Sequence, residues 1–244
     1  MKTVAIIQAR LGSTRLPQKI QRDIEGKTML ERVVARVEQS ELTDEVVIAT
    51  TELPSDQPLV DFCRQRSWSV FRGSENDVLS RYVGAATAFL ADRIVRITSD
   101  CPLIDSGLID EVIQVSRLEK GVDYCCNFYP QRRYPRGLEC EVLTRECLHR
   151  IDRLAKAPEF REHVTLFAYR NARLFSIGSV TGENDFSHLR WTVDTEEDMQ
   201  LVRAIYRHFA ELGQKSFDWK DIIAAFETHP QWYQINHHVL QKVA

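Results

Sequence analysis

Short apolar runs alternate with amphipathic stretches along the first half of the chain. "TVAII" predicts a buried strand near the N-terminus. Thr28 and Glu31 have capping-box spacing, and Leu30, Val33, Val34 and Val37 follow at a helical period. "EVVIAT" (45–50) predicts a second strand. Ser55 is placed to cap a helix running through Cys63 and Gln65, and "SVF" (69–71) predicts a short third strand. Asn76 or Asp77 caps a long alanine-rich helix. "RIVRITS" (93–99) predicts a fourth strand that ends at Asp100, and Ser106 opens a helix with Ile109, Val112, Ile113 and Val115 inward. This strand–helix rhythm predicts an α/β fold, a mostly parallel mixed sheet with helices on both faces.

The second half departs from that rhythm. "GLECEVL" (137–143) alternates like a half-exposed strand, and a helix from Thr144 to about Leu154 follows. "EFREHVTLFAYR" reads as helical, "LFSIGSV" and "LRWTV" as strands. Thr195 caps the helix "EEDMQLVRAIYRHF". No Gly/Ser/Pro-rich linker, low-complexity tract or internal repeat divides the chain. The expectation is one domain over 1–244 with a subregion near 124–180. The tail "WYQINHHV" reads as an amphipathic packing segment, because adjacent His237 and His238 would point to different faces.

Composition narrows the classes. With 43% hydrophobic and 27% charged residues, the chain is globular in type. No apolar run is long enough for a membrane span, and "MKTVAIIQAR" lacks the apolar core and cleavage site of a signal peptide. A net charge of −3 argues against a general nucleic-acid binder. The six cysteines form no C-x-x-C pair and no zinc spacing. They read as buried free thiols in a reducing, cytoplasmic setting, with Cys101 set apart by its neighbour Asp100.

Candidate chemistry starts in the loop after the first strand, "QARLGSTRLPQK". Ligands in open α/β sheets bind beyond the carboxyl ends of the strands. Arg10, Arg15 and Lys19 supply charge there, and Gly12, Ser13 and Thr14 supply a small, donor-rich backbone suited to phosphates. Neither familiar phosphate motif is present. "EGKT" lacks the P-loop glycine five residues before Gly26, where Gln21 stands, and Gly12 has no glycine two residues on. A polyphosphate site for chemistry calls for Mg²⁺ and hard oxygen ligands. Asp100 and Asp194 each end a predicted strand just before a turn or helix, so both can converge on one cation. Asp105 reads as a cap. For an acceptor, "YPQRRYPRGLECEVL" offers Arg136 near Glu139 and Glu141, with Arg132 and Arg133 open equally between that role and a loop or dimer contact. His163 is open between orienting an acceptor and sitting half-buried.

"IIQARLGSTRLPQKIQRDIEGKTMLERVVARV" resembles the signature of sugar-acid cytidylyltransferases, which make CMP-KDO and CMP-sialic acid, and is more similar to their SpsF-like branch. "VFRGSENDVLSRY", "RITSDCPLID", "YPRGLECEVL", "REHVT" and "WTVDTEEDM" extend the resemblance over most of 1–205. It implies a three-layer nucleotide-diphospho-sugar transferase (GT-A-like) fold, a homodimer, Mg²⁺, and transfer of CMP from CTP to a sugar acid or related acceptor with loss of pyrophosphate. Arg10 and Lys19 match positions that hold the triphosphate, with Asp100 the third of the catalytic set. Gly12, Ser13 and Thr14, with Ala9, Leu11 and Arg15 around them, match the nucleotide cradle. Asp100 and Asp194 match metal ligands. Arg72, Asn76 and Arg81 match a base-recognition segment. Gln8 and Thr28 replace prolines of the KDO and sialate enzymes, and Gln18 stands where glycine is usual. Two other readings keep nucleotide binding: a GT-A glycosyltransferase, disfavoured because "SDCPLID" has no D-x-D, and a non-catalytic nucleotide-binding protein of a polysaccharide cluster.

Overall fold

The computed structural model describes residues 1–13, 15–118 and 121–241. Strands β1 (Thr3–Gln8), β2 (Asp23–Ile24), β3 (Lys27–Thr28), β4 (Glu45–Thr51), β5 (Ser69–Gly73), β6 (Arg93–Thr98), β7 (Tyr124–Cys126), β8 (Glu141–Thr144) and β9 (Ile177–Ser179) follow one another along the chain. β2 and β3 form a small hairpin, and the other seven form one sheet in the order β5-β4-β1-β6-β8-β7-β9. β5, β4, β1 and β6 are parallel, β8 runs against both its neighbours, and β7 and β9 are parallel. Only β8 is reversed, so the sheet is mixed and mostly parallel, as expected.

Strand alternation builds two cores. Ala5, Ile7, Val95, Ile97 and Val142 face one way, onto α1 (Met29–Val37), α4 (Ser106–Leu118), α8 (Glu196–Glu211) and α9 (Trp219–Thr228). Val4, Ile6, Ile94, Leu143 and Tyr124 face the other way, onto α3 (Val78–Ala88) and α5 (Arg145–Leu154). Helices on both faces leave the central strands dry, which is why they read as continuous apolar runs.

The local signals mostly act where they were expected. Thr28 and Glu31 form the reciprocal box at α1, Thr195 and Asp198 form another at α8, and Asp77 rather than Asn76 caps α3. Asp105 caps α4 through Leu108 N–H at 2.9 Å. α2 (Gln57–Gln65) differs: it follows a turn at Pro54–Asp56, so Ser55 lies inside the turn and is not the cap. All six cysteines are buried.

Three readings of the second half need correction. The stretch 137–143 is not a half-exposed strand. Pairing begins at Glu141, and Leu138, Cys140, Glu141, Val142 and Leu143 are all buried. "EFREHVTLFAYR" is two short helices, α6 (Pro158–Glu162) and α7 (Leu166–Arg170), broken where Val164 takes a left-handed φ of 45°. "LRWTV" joins no ladder beyond one bridge, Arg136 to Arg190. Its hydrogen bonds go to loops instead, Trp191 N–H to Arg136 O at 2.6 Å and Val193 N–H to Asp100 O at 2.8 Å. The tail forms α10 (Trp232–Asn236), which packs on α8 with Trp232 and Asn236 buried.

Candidate active site

A cleft of about 450 Å³ opens at the carboxyl edge of β1 and β6. Ala9, Arg10, Gly12, Ser13, Arg15 and Lys19 form one side of it. The loop is anchored at two points, Ala9 N–H on Ala49 O at 3.1 Å and Leu11 N–H on the Asp56 carboxylate at 2.7 Å. Leu11 is therefore part of the anchor and does not line the cleft. A Cβ on Gly12 would meet no atom within 4 Å, so the space above that backbone is open. Gln18 turns the chain through a left-handed φ of 52°, the conformation for which glycine is the usual choice. Thr14 lies outside the described residues.

Lys19 is the centre of the charge arrangement. Its ammonium donates to Asp100 Oδ2 at 3.2 Å, Asp194 Oδ1 at 3.1 Å and Val193 O at 2.8 Å. Burial opposes its charge, but the two carboxylates outweigh burial and hold its pKa above the ordinary lysine value. Burial also opposes ionisation of Asp100, and there Lys19 and a Thr98 hydrogen bond win, keeping the carboxyl below its usual range. Two acids distant in sequence thus meet at one cation.

Asp194 is held by two partners four residues to either side of it and by one cation from the loop after β1. Arg190 reaches its Oδ2 at 2.9 Å, Arg15 reaches its Oδ1 at 2.8 Å, and Asp198 accepts its backbone N–H at 2.9 Å. Asp198 is fully buried and also binds Arg190 and Asn236. Asp198, the acidic member of the capping box at α8, is thus also a support of the site.

Arg10 is half-exposed and pairs with Glu75 at 3.0 Å. Asn76 and Arg81 line the cleft beside it. Arg81 is buried, its Nε has no partner, and its firm contact is Ser74 O at 3.2 Å. Burial, then Arg10, push against its charge. His163, half-buried, lines the same cleft with Glu162.

Other expected residues lie elsewhere. Arg72 is spent on Thr51 O, Gln57 and Leu53 O and does not line the cleft. Arg136 and Glu139 sit on the crossing with segment 189–192. The Arg136 N–H binds Leu189 O at 2.9 Å, and Glu139 pairs with Arg132 and accepts the Gly137 N–H at 2.7 Å. Neither lines the cleft. Glu141 is 2% exposed, is buried under Arg96 and does not line the cleft. Burial, then Asp100, push the Cys101 thiol well above its ordinary value.

Sequence reasoning missed Gln8, Glu75, Arg96, Thr98 and Ser99 in the lining. Arg96 carried a signal, as a charge inside the otherwise apolar alternation of β6.

The donor set can be tested for Mg²⁺. Asp100 and Asp194 aim one oxygen each at a common cation, Lys19. Mg²⁺ is commonly held by one or two carboxylates, with substrate phosphates and water completing its octahedron. The two acids fit that pattern.

A family model described as cytidylyltransferase matches residues 4–234. The spore coat polysaccharide biosynthesis protein SpsF of Bacillus subtilis is 35% identical over 213 residues, covering 84% of this chain and 87% of SpsF. A solved cytidylyltransferase structure from Leptospira borgpetersenii superposes with a TM-score of 0.90 at 33% identity, covering 100% of this chain and 99% of that one. The structure of CMP:2-keto-3-deoxy-manno-octonic acid synthetase complexed with CTP gives a TM-score of 0.67 at 21% identity, covering 85% and 99%. The last likeness is one of fold.

Proposed function

We propose a reaction for a chain that belongs to the cytidylyltransferase family, in its SpsF-like branch: transfer of CMP from CTP to a sugar acid or related acceptor, with release of pyrophosphate, in the making of a surface polysaccharide or glycoconjugate precursor. The observation that carries the reading is the meeting of Arg15 and Lys19 with Asp100 and Asp194 at the carboxyl edge of the sheet.

An acceptor oxygen attacks the α-phosphorus, and the bond to the bridging oxygen of pyrophosphate breaks. Such transfer depends on positioning and charge stabilisation. The Gly12 amide and the Ser13 hydroxyl would cradle the phosphates. Arg10, Arg15 and Lys19 would take up the charge that grows on the leaving pyrophosphate. Asn76 and Arg81 flank the base. Asp100 and Asp194 would hold Mg²⁺, which when bound supplies charge neutralisation at the phosphate and a lower pKa for the attacking hydroxyl. Salt bridges now tie Lys19 and Arg15 to the acids, and a triphosphate offers both cations a stronger anion.

The test is pyrophosphate release with Mg²⁺, running CTP, UTP, GTP and ATP against sugar acids and sugar phosphates. Release confined to CTP and one acceptor supports the reading. Release with a purine nucleotide, or hydrolysis of a ready-made nucleotide sugar in its place, refutes it.

A further inference from the structure

Arg96 is out of keeping with its surroundings. It sits on the face of β6 whose neighbours are Ile6, Ile94, Tyr82, Tyr124 and Leu143, all buried. Its register partner on β8 is Glu141, and the two form a close ion pair. Glu141 has its second oxygen occupied by the Tyr124 hydroxyl at 2.9 Å. An apolar pair of similar volume would hold two strands together at least as well, because two charges must be stripped of water to make this one. The pair therefore calls for another reason.

The guanidinium is not fully used. One terminal nitrogen donates to Glu141, the other reaches the Gln8 side chain at a long 3.3 Å, and Nε is buried with no partner. The side chain keeps 14% of its surface exposed, and that surface lines the cleft. Arg96 lies deeper along β6 than Asp100, toward the start of the strand. The other groups near it are accounted for: Glu75 is taken by Arg10, and Asp100 and Asp194 by Lys19.

We infer that Arg96 is the anchor for an anionic group of the acceptor, a carboxylate or a phosphate, and that Glu141 and Tyr124 are positioning residues that hold its guanidinium facing the cleft. The inference rests on the reaction proposed above and names the acceptor's class. A planar fork with spare donors suits either oxyanion. Glu141 fixes the fork from the side remote from the ligand, so its role is exerted through Arg96.

The experiment is calorimetric and needs no turnover. 3-Deoxy-manno-octulosonate and N-acetylneuraminate are each titrated against their methyl esters, and glucose 1-phosphate against glucose, with and without α,β-methylene-CTP. The proteins are wild type, the double variant Arg96→Gln with Glu141→Gln, which leaves no buried charge unpaired, and Arg96→Lys, which keeps the charge but not the fork. Wild type is expected to favour at least one anion over its uncharged counterpart by about 10- to 100-fold, the worth of one hydrogen-bonded charge. The preference should vanish in the double variant and shrink in Arg96→Lys, with affinity for the CTP analogue changed by less than about 2-fold in both. A sugar-acid preference identifies a carboxylate, a sugar-phosphate preference a phosphate. A merely structural pair would lower the melting temperature and leave the preference intact. Survival of the preference in the folded double variant, or an undiminished preference in Arg96→Lys, overturns the inference, as does its absence from wild type. Failure of the CTP analogue to bind wild type counts instead against the proposed reaction.

Discussion

Gly137→Ala tests how the site is braced. Gly137 has φ +101°, a conformation that costs a residue with a Cβ about 1–3 kcal/mol. The added Cβ would lie 2.5 Å from Thr192 N and 2.7 Å from Trp191 C. Both are backbone atoms and cannot swing aside, so the segment must shift, at a further cost of about 1–3 kcal/mol. Together the substitution should cost about 2–6 kcal/mol of an ordinary total near 5–15. The shift would reach the site, because Thr192 Oγ1 and Val193 N–H both bond Asp100 O, at 3.3 and 2.8 Å, and Asp194 follows directly. Urea unfolding followed by circular dichroism gives the stability change, and pyrophosphate release gives the activity. A loss under about 1 kcal/mol with full activity would refute the reasoning, since the crossing would then be compliant.

Three further outcomes are expected. Lys19→Ala should lower kcat/KM for CTP by about 10²- to 10³-fold, because it removes a charge-bearing donor and leaves two carboxylates facing each other; steady-state kinetics with near-normal values would sink its catalytic role. Gln18→Gly should stabilise the fold by about 1 kcal/mol by relieving the left-handed φ of 52°, and a lower denaturation midpoint would contradict that account. Asp77, despite partial burial, has its carboxyl held below the usual range by Arg161 and the Ser80 N–H. A depressed folded value means its contribution is present above the ordinary carboxyl value, near 4, and is lost as pH falls through the folded value. The stability gap between wild type and Asp77→Asn should therefore be full at pH 7 and close in acid; a gap independent of pH would show that the ion pair with Arg161 contributes nothing.

Local signals were legible because they are local. The apolar runs of β1, β4 and β6, the Thr28–Glu31 box and the caps at Asp105 and Thr195 depend on neighbours a few residues away. The cation-rich loop at the cleft was legible too, since its charges and its place after the first strand are both written in the chain. What the pattern could not carry was the identity of distant partners. "LRWTV" alternates like a strand, yet its hydrogen bonds end on loop carbonyls of Arg136 and Asp100. Glu141 looked like a half-exposed acid because alternation implies one wet face, while α-helices cover both faces of this sheet. By itself the sequence determined the strands and helices of the first half, the cation-rich loop after β1 and the two acids that end their segments. Only the tertiary structure decided that Lys19 would bring those acids together, and that Glu141 would stand behind Arg96. Each of those depends on charges separated along the chain finding one another in a site too dry to leave them unpaired.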